Sequence, residues 1–143
     1  MRVLTDTNVF ISYLLDPEKD EKLQYVVEAG FEGEYTPILP QEVFDELKRK
    51  LAIKSFLIQH IPKSASEKFI KALSIVVELI PPIAEPIPEV SRDKKDDYLL
   101  AYGVVGEADY LVSGDDDLQV LKQVGNVKIV SPAEFYEILK KRK

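Results

Sequence analysis

The chain has no cysteine, no tryptophan, one methionine and one histidine. Without cysteine there is no disulfide, no thiolate metal site and no cysteine nucleophile. A Ser–His–Asp triad would have to use His60, and a histidine-rich zinc site is excluded. His60 lies in "FLIQHIPK" with no acid beside it, so it reads as a surface or boundary residue. No apolar run approaches the ~20 residues that a bilayer span needs. The N-terminus, "MRVLTDTNVF", has an acid at position 6 and no small-residue cleavage pattern, which argues against a signal peptide. The expectation is a cytoplasmic protein with no membrane association. Its chemistry falls to carboxylates, hydroxyls, amides, lysine and arginine.

What is present is an ordinary globular composition: 143 residues, 45% hydrophobic and 31% charged. That length suits a single domain over residues 1–143 with a real core. The net charge of −6 gives no long-range attraction to nucleic acid, so any such contact depends on a local patch. Little Cys, Met and Asn beside abundant Lys, Glu, Ile and Val leans towards a thermophile.

Strand and helix patterns alternate along the chain. "MRVLTDT" reads as a buried strand with Asp6 just past its end, and "NVFISYLL" as a short helical turn. Leu23, Val26 and Val27 have helical spacing, with Gly30 as a stop. "EYTPIL" is a second strand, and Pro40 suits the first turn of the helix "PQEVFDELKRKLAI". "KSFLIQHI" is a further helical piece. Ser64 and Glu67 have capping-box spacing for a helix ending near Ser74, and "VVELI" can follow as a strand. "PPIAEPIPEVSRD" carries four prolines and reads as irregular. Then come the helix "KKDDYLLAYGVVGEA", the strand "DYLVS", the helix "DDLQVLKQVG" ending at Gly125, and the strand "NVKIV". Ser131, Pro132 and Glu134 open a last helix. The expected fold is a three-layer α/β/α sandwich with a mostly parallel central sheet.

In such sheets sites form beyond the carboxyl ends of the strands. Asp6 and Asp115 stand there. On helix 40–52 the apolar stripe is Val43, Phe44, Leu47 and Leu51, and Glu46 lies nearest its edge, with Glu42 and Asp45 turned further away. A Glu46–Lys50 surface pair is the bland alternative for that residue. Asp93 suits an N-cap. Asp96 shares a helix face with Leu99, Leu100 and Gly103, whereas Asp97 is rotated by ~100° and is expected to face outward. Asp6, Glu46, Asp96 and Asp115 together would repel unless a cation sat among them. Hard divalent cations prefer such oxygen ligands, and their natural chemistry here is metal-assisted phosphodiester hydrolysis.

Four blocks in order, "VLTDTNVFISYLL", "PQEVFDELKRKL", "SRDKKDDYLLAYGVVGEADYLVSGDDDL" and "KIVSPAEFYEIL", resemble the PIN-domain family, in particular its VapC-like ribonuclease toxins of prokaryotic toxin–antitoxin pairs. The resemblance implies a Mg²⁺ or Mn²⁺ cofactor and cleavage of single-stranded RNA. Residue by residue, Asp6, Glu46, Asp96 and Asp115 match the family's acids, with Asp97 a register neighbour of Asp96. Asp117 matches a further acidic position that joins Asp6, Asp96 and Asp115 as a metal ligand. Asn8 matches the polar residue supporting the first acid. Ser113 stands where the family usually has Thr and keeps the hydroxyl. Leu39 stands where Ser or Thr is common before the second helix, and in that register Glu42 is the alternative to Glu46. Lys48, Arg49, Lys50, Arg92, Lys94 and Lys95 are candidates to contact phosphates, against the plain reading of solvated helix faces. The implied partners are an RNA substrate, a small antitoxin masking the site, and a second copy in a homodimer.

The competing reading from another class is a non-catalytic RNA- or protein-binding module on the same fold. A phosphoacceptor receiver domain would want adjacent acids after an early strand and a lysine after the last one, and "VLTDTN" and "KIVSP" supply neither. A haloacid-dehalogenase-type phosphatase would want Asp where Asn8 stands.

Overall fold

The alternating patterns form β1 (Arg2–Thr5), α1 (Thr7–Leu15), α2 (Glu21–Phe31), β2 (Thr36–Pro40), α3 (Gln41–Ile53), α4 (Ser55–His60), α5 (Lys63–Val76) and β3 (Glu78–Ile80). They continue with α6 (Lys94–Val105), β4 (Tyr110–Val112), α7 (Asp116–Gln119), β5 (Gln123–Val124), β6 (Val127–Val130) and α8 (Pro132–Lys141). The structure, a computed structural model, describes residues 1–87 and 94–142, with Lys94 described by its backbone alone.

Six strands pair in the order β3-β2-β1-β4-β6-β5. All neighbours are parallel except β5, which runs antiparallel to β6 at one edge. Val3, Leu4, Ile38, Leu39, Leu111 and Val112 have no exposed surface. Continuous apolar strands of this kind belong to a sheet covered by helices on both faces. The result is a three-layer α/β/α sandwich with a mostly parallel sheet. Helix α2 packs against α8, α1 and α5. Helix α6 lies on the sheet through Gly103, whose Cα faces Leu4 and Val127 closely enough that an added Cβ would meet them at 3.6–3.8 Å.

Several local expectations need correction. "NVFISYLL" belongs to a nine-residue helix, α1, rather than a single turn. Gly30 does not stop α2. It lies buried inside the helix, which ends after Phe31, with Gly33 in the left-handed region at φ +81°. Gly30 is there for space: a Cβ would stand 2.9 Å from Tyr35 Oη, and that hydroxyl donates to the Val26 carbonyl at 2.7 Å. Pro40 is the N-cap position of α3 and also the last residue of β2. Ser64 and Glu67 form no capping box; α5 starts at Lys63 after Pro62, Glu67 pairs with Lys63 at 3.8 Å, and the helix runs on to Val76. The helix after Asp115 is only four residues long. The segment expected to extend it turns into β5, and Gly125 (φ +58°) is the first central residue of a two-residue hairpin turn to β6. Asp93, expected as an N-cap, lies outside the described residues. The capping box of α8 forms as expected, Ser131 Oγ accepting from Glu134 N at 3.1 Å and Glu134 Oε1 from Ser131 N at 3.0 Å.

Gly30→Ala is expected to destabilise the protein by about 1–2 kcal/mol, because overpacking against the anchored Tyr35 ring outweighs the alanine's better helix propensity. Urea denaturation of the two proteins measures this.

Candidate active site at the sheet switch point

From β1 the chain builds outward through β2 and β3, then returns through α6 to place β4 on the other side of β1. The connections leaving β1 and β4 therefore diverge, and a crevice opens between the carboxyl ends of these two strands. Asp6 follows β1 and Asp115 follows β4, so the topology delivers one carboxylate to each lip.

Both are held in the same way. Each is the N-cap of the next helix, and each accepts the backbone N–H two residues on: Asp6 Oδ1 from Asn8 at 3.3 Å, Asp115 Oδ1 from Asp117 at 2.9 Å. Capping alone is a sufficient reason for aspartate at either position. It does not explain Ser113, which is fully buried. Its hydroxyl donates to Asp6 Oδ2 at 3.0 Å and accepts from the Asp115 N–H, also at 3.0 Å. One side chain thus couples the two lips. The Asp6 N–H completes the link by donating to the Val112 carbonyl at 2.9 Å.

Helix α6 brings Asp96 to the crevice with only 6% of its surface exposed. Asp96, Asp115 and Asp117 each present a carboxylate oxygen within 4.8 Å of the other two. Oxygens opposite one another around a hard divalent cation would stand about 4–5 Å apart, twice the metal–oxygen distance. Three carboxylates this close repel without such a cation, and the set could hold a divalent metal ion.

The other wall of the cleft, which measures about 610 Å³, comes from α3 and α6. Glu42, Glu46 and Lys50 line it from α3, and Lys95 and Tyr98 from α6. Glu46 is exposed and bonded to Arg49 at 3.0 Å, with Lys50 at 4.0 Å. The Arg49 hydrogen bond and charge hold its carboxyl below the usual glutamate range. Glu42 accepts a hydrogen bond from the Tyr98 hydroxyl. Burial and then that carboxylate push the Tyr98 phenol far up, so it stays protonated and donating. On the far side of Asp6, Asn8 and Asp115 a second hollow of about 1050 Å³ opens beside α1 and the start of α2. Lys19 and Lys22 face it, but so do Asp16, Asp20 and Glu21.

The structure therefore gathers Asp6, Asn8, Glu46, Asp96, Asp115, Lys50 and Lys95 around one cleft, with Asp117 and Ser113 against it. Three expectations change. Glu42 faces the cleft beside Glu46 rather than pointing away, because the mouth of the cleft includes the first turn of α3 as well as its middle. Asp97 is not outward-facing. It is 5% exposed and lies under the proline-rich segment, lining a hollow with Ile83, Pro86 and Ile87. Lys48 turns from the cleft to Asp45 at 3.5 Å and the Phe44 ring at 5.0 Å. Arg92 and the Lys94 side chain lie outside the described residues. Sequence reading passed over Tyr98, because an aromatic residue beside Leu99 and Leu100 in a helix reads as core. His60 is exposed, stacks on Phe56 and does not line this cleft.

A parallel sheet with acids on both lips of its switch point is an arrangement that several classes of α/β protein share. The narrower assignment comes from comparison with known families: residues 2–117 match the PIN domain, and the chain belongs to the PIN-domain family. Its members are generally nucleases that use divalent metals. No curated protein and no solved structure matches the chain.

Ser113→Ala removes the shared hydroxyl and is expected to cost about 1–3 kcal/mol, as buried partners lose their hydrogen bonds; chemical denaturation measures it. Arg49→Gln is expected to raise the Glu46 pKa towards the usual glutamate range, read by NMR titration of the side-chain carboxyl. The sign follows from a depressed folded-state value. Any stability from this pair is present above the unfolded-state pKa and is lost as pH falls through the lower folded one.

Proposed function

We propose that this chain is a Mg²⁺- or Mn²⁺-dependent endoribonuclease that cleaves single-stranded RNA, acting in the cytoplasm as the VapC-like toxin of a toxin–antitoxin pair. The observation that carries the reading is the set of three carboxylates, Asp96, Asp115 and Asp117, within 4.8 Å beside the anchored Asp6. The PIN family membership supports nuclease chemistry. No helix of the described residues is long and apolar enough to cross a membrane.

In this reading Asp6, Asp96, Asp115 and Asp117 hold the cation. When bound, it supplies Lewis-acid activation of a water and neutralises charge that builds on the scissile phosphate. Ser113 and the Asn8 N–H keep Asp6 turned towards the cleft. Lys50 and Lys95 bind the strand's phosphates from the opposite wall. Glu46 keeps its negative charge through Arg49 at the rim of the cleft. A homodimer and a small antitoxin that covers the acids complete the proposal.

Asp6→Asn and Asp96→Asn are each expected to lower the cleavage of a panel of single-stranded RNAs in Mn²⁺ on the order of 10²-fold or more, since the cation supplies several kcal/mol of stabilisation. Both should weaken Mn²⁺ binding in calorimetry, and chelation should abolish wild-type cleavage until Mn²⁺ is restored. Wild type and Asp6→Asn behaving alike would sink the nuclease reading. RNA binding without any wild-type cleavage in either metal would favour the non-catalytic module.

A further inference from the structure

The α3 and α6 side of the cleft carries more than charged groups. Val43, Leu47 and Leu99 line the cleft beside Lys50 and Lys95, and the Tyr98 ring stands among them, half-buried. A surface that only tracked phosphates would have no use for an apolar, aromatic strip. Single-stranded nucleic acid is held by two kinds of contact at once: charge along the backbone, and aromatic faces on which unstacked bases lie.

Tyr98 is also immobilised to an unusual degree for a cleft residue. Its hydroxyl donates to Glu42 on α3 and stands 3.4 Å from the Tyr102 hydroxyl. Its ring leans on the Tyr102 ring at 4.8 Å between centroids. Tyr102 is itself buried and fixed by the Ile83 N–H at 2.9 Å. A ring tied at its tip and backed by a second ring loses little freedom when a base settles on it, which is the condition for a preorganised binding surface. Its position also suits this role. Tyr98 and Asp96 both line the cleft, so a single strand lying in it passes the ring and the carboxylate together.

We propose that Tyr98 is the base-stacking platform of the cleft, held by Glu42 and Tyr102 so that one base of a single strand stacks beside the carboxylates while Lys50 and Lys95 take neighbouring phosphates. This rests on the RNA-binding reading above. It adds the residue that grips a base and accounts for Glu42 as the holder of that residue. Stacking of this kind is tolerant of base identity, because every base has a π face.

The test measures binding of fluorescent single-stranded RNA by anisotropy in EDTA, using the full chain, so that affinity is read apart from cleavage. Tyr98→Leu is expected to weaken binding by roughly 10-fold or more, the effect of losing one base–aromatic stack. Tyr98→Phe, which keeps the ring, should stay closer to wild type than Tyr98→Leu. A series of RNAs with one abasic nucleotide moved along the strand should show one position where wild type loses affinity and Tyr98→Leu does not. That comparison needs only wild-type protein for its first half, so a poorly folded variant does not block it. Equal affinity of wild type for intact RNA and every abasic RNA, or of Tyr98→Leu and wild type for intact RNA, overturns the platform. Tyr98-dependent binding without cleavage in Mg²⁺ or Mn²⁺ leaves the platform standing and removes the nuclease reading. Cleavage with no Tyr98 dependence does the reverse, and a wild type that neither binds nor cleaves RNA removes both.

Discussion

The two hydrogen bonds of the Ser113 hydroxyl join the two lips on which the rest of the cleft is built. Asp6 and Asp115 come from strands that sit side by side in space and 109 positions apart in sequence. Strand pairing alone aligns their backbones and leaves each side chain free to rotate. A fully buried hydroxyl that donates to the Asp6 carboxylate and accepts from the Asp115 N–H fixes the first side chain and the backbone of the second, and the Asp115 side chain is held by the Asp117 N–H. Burial makes the arrangement demanding, since each of these polar groups would be costly to leave without a partner. The lips of the crevice are therefore set by the folded sheet and need no ligand to define them.

The remaining wall is set by a second, separate group of contacts. Tyr98, Tyr102 and Glu42 join α6 to α3, and the Ile83 N–H ties the same group to the segment after β3. Asp96 sits one half-turn before Tyr98, so these contacts also bear on where its carboxylate stands. Lys50 and Lys95 face the cleft among Glu42, Glu46 and Asp96, so both signs of charge meet on the α3 and α6 side of a protein whose net charge is −6.

Much of this was legible in the sequence, and for identifiable reasons. Buried parallel strands are short apolar runs, and the acid that follows such a run falls at the sheet edge whatever the strand order. Asp6 and Asp115 could be located on that basis. The Asp96 assignment followed from helical spacing to Leu99, Leu100 and Gly103, and Gly103 does meet the sheet. The same rule failed for Asp97, because one helix can be buried on two sides. The proline-rich segment covers a face that periodicity assigns to solvent. It failed for Glu42 because the mouth of the cleft is as wide as the first two turns of α3. The helix after Asp115 was read too long, since "QVLKQVG" has helical spacing, but Gln123 and Val124 gain more by pairing with β6. Helical spacing loses there to a strand partner across a two-residue turn.

By itself the sequence determined the alternation of strand and helix, the parallel character of the sheet and the identity of the carboxylates at its strand ends. Each of these depends on periodicity and on neighbours within a few residues. Only the tertiary structure decided that β4 lies against β1, that Asp96 joins Asp115 and Asp117 within 4.8 Å, that Ser113 bridges the two lips and that Tyr98 stands between Glu42 and Tyr102. Those facts depend on strand order and helix packing, where residues tens of positions apart meet. Their meeting is fixed by the burial of the whole core and by no local preference.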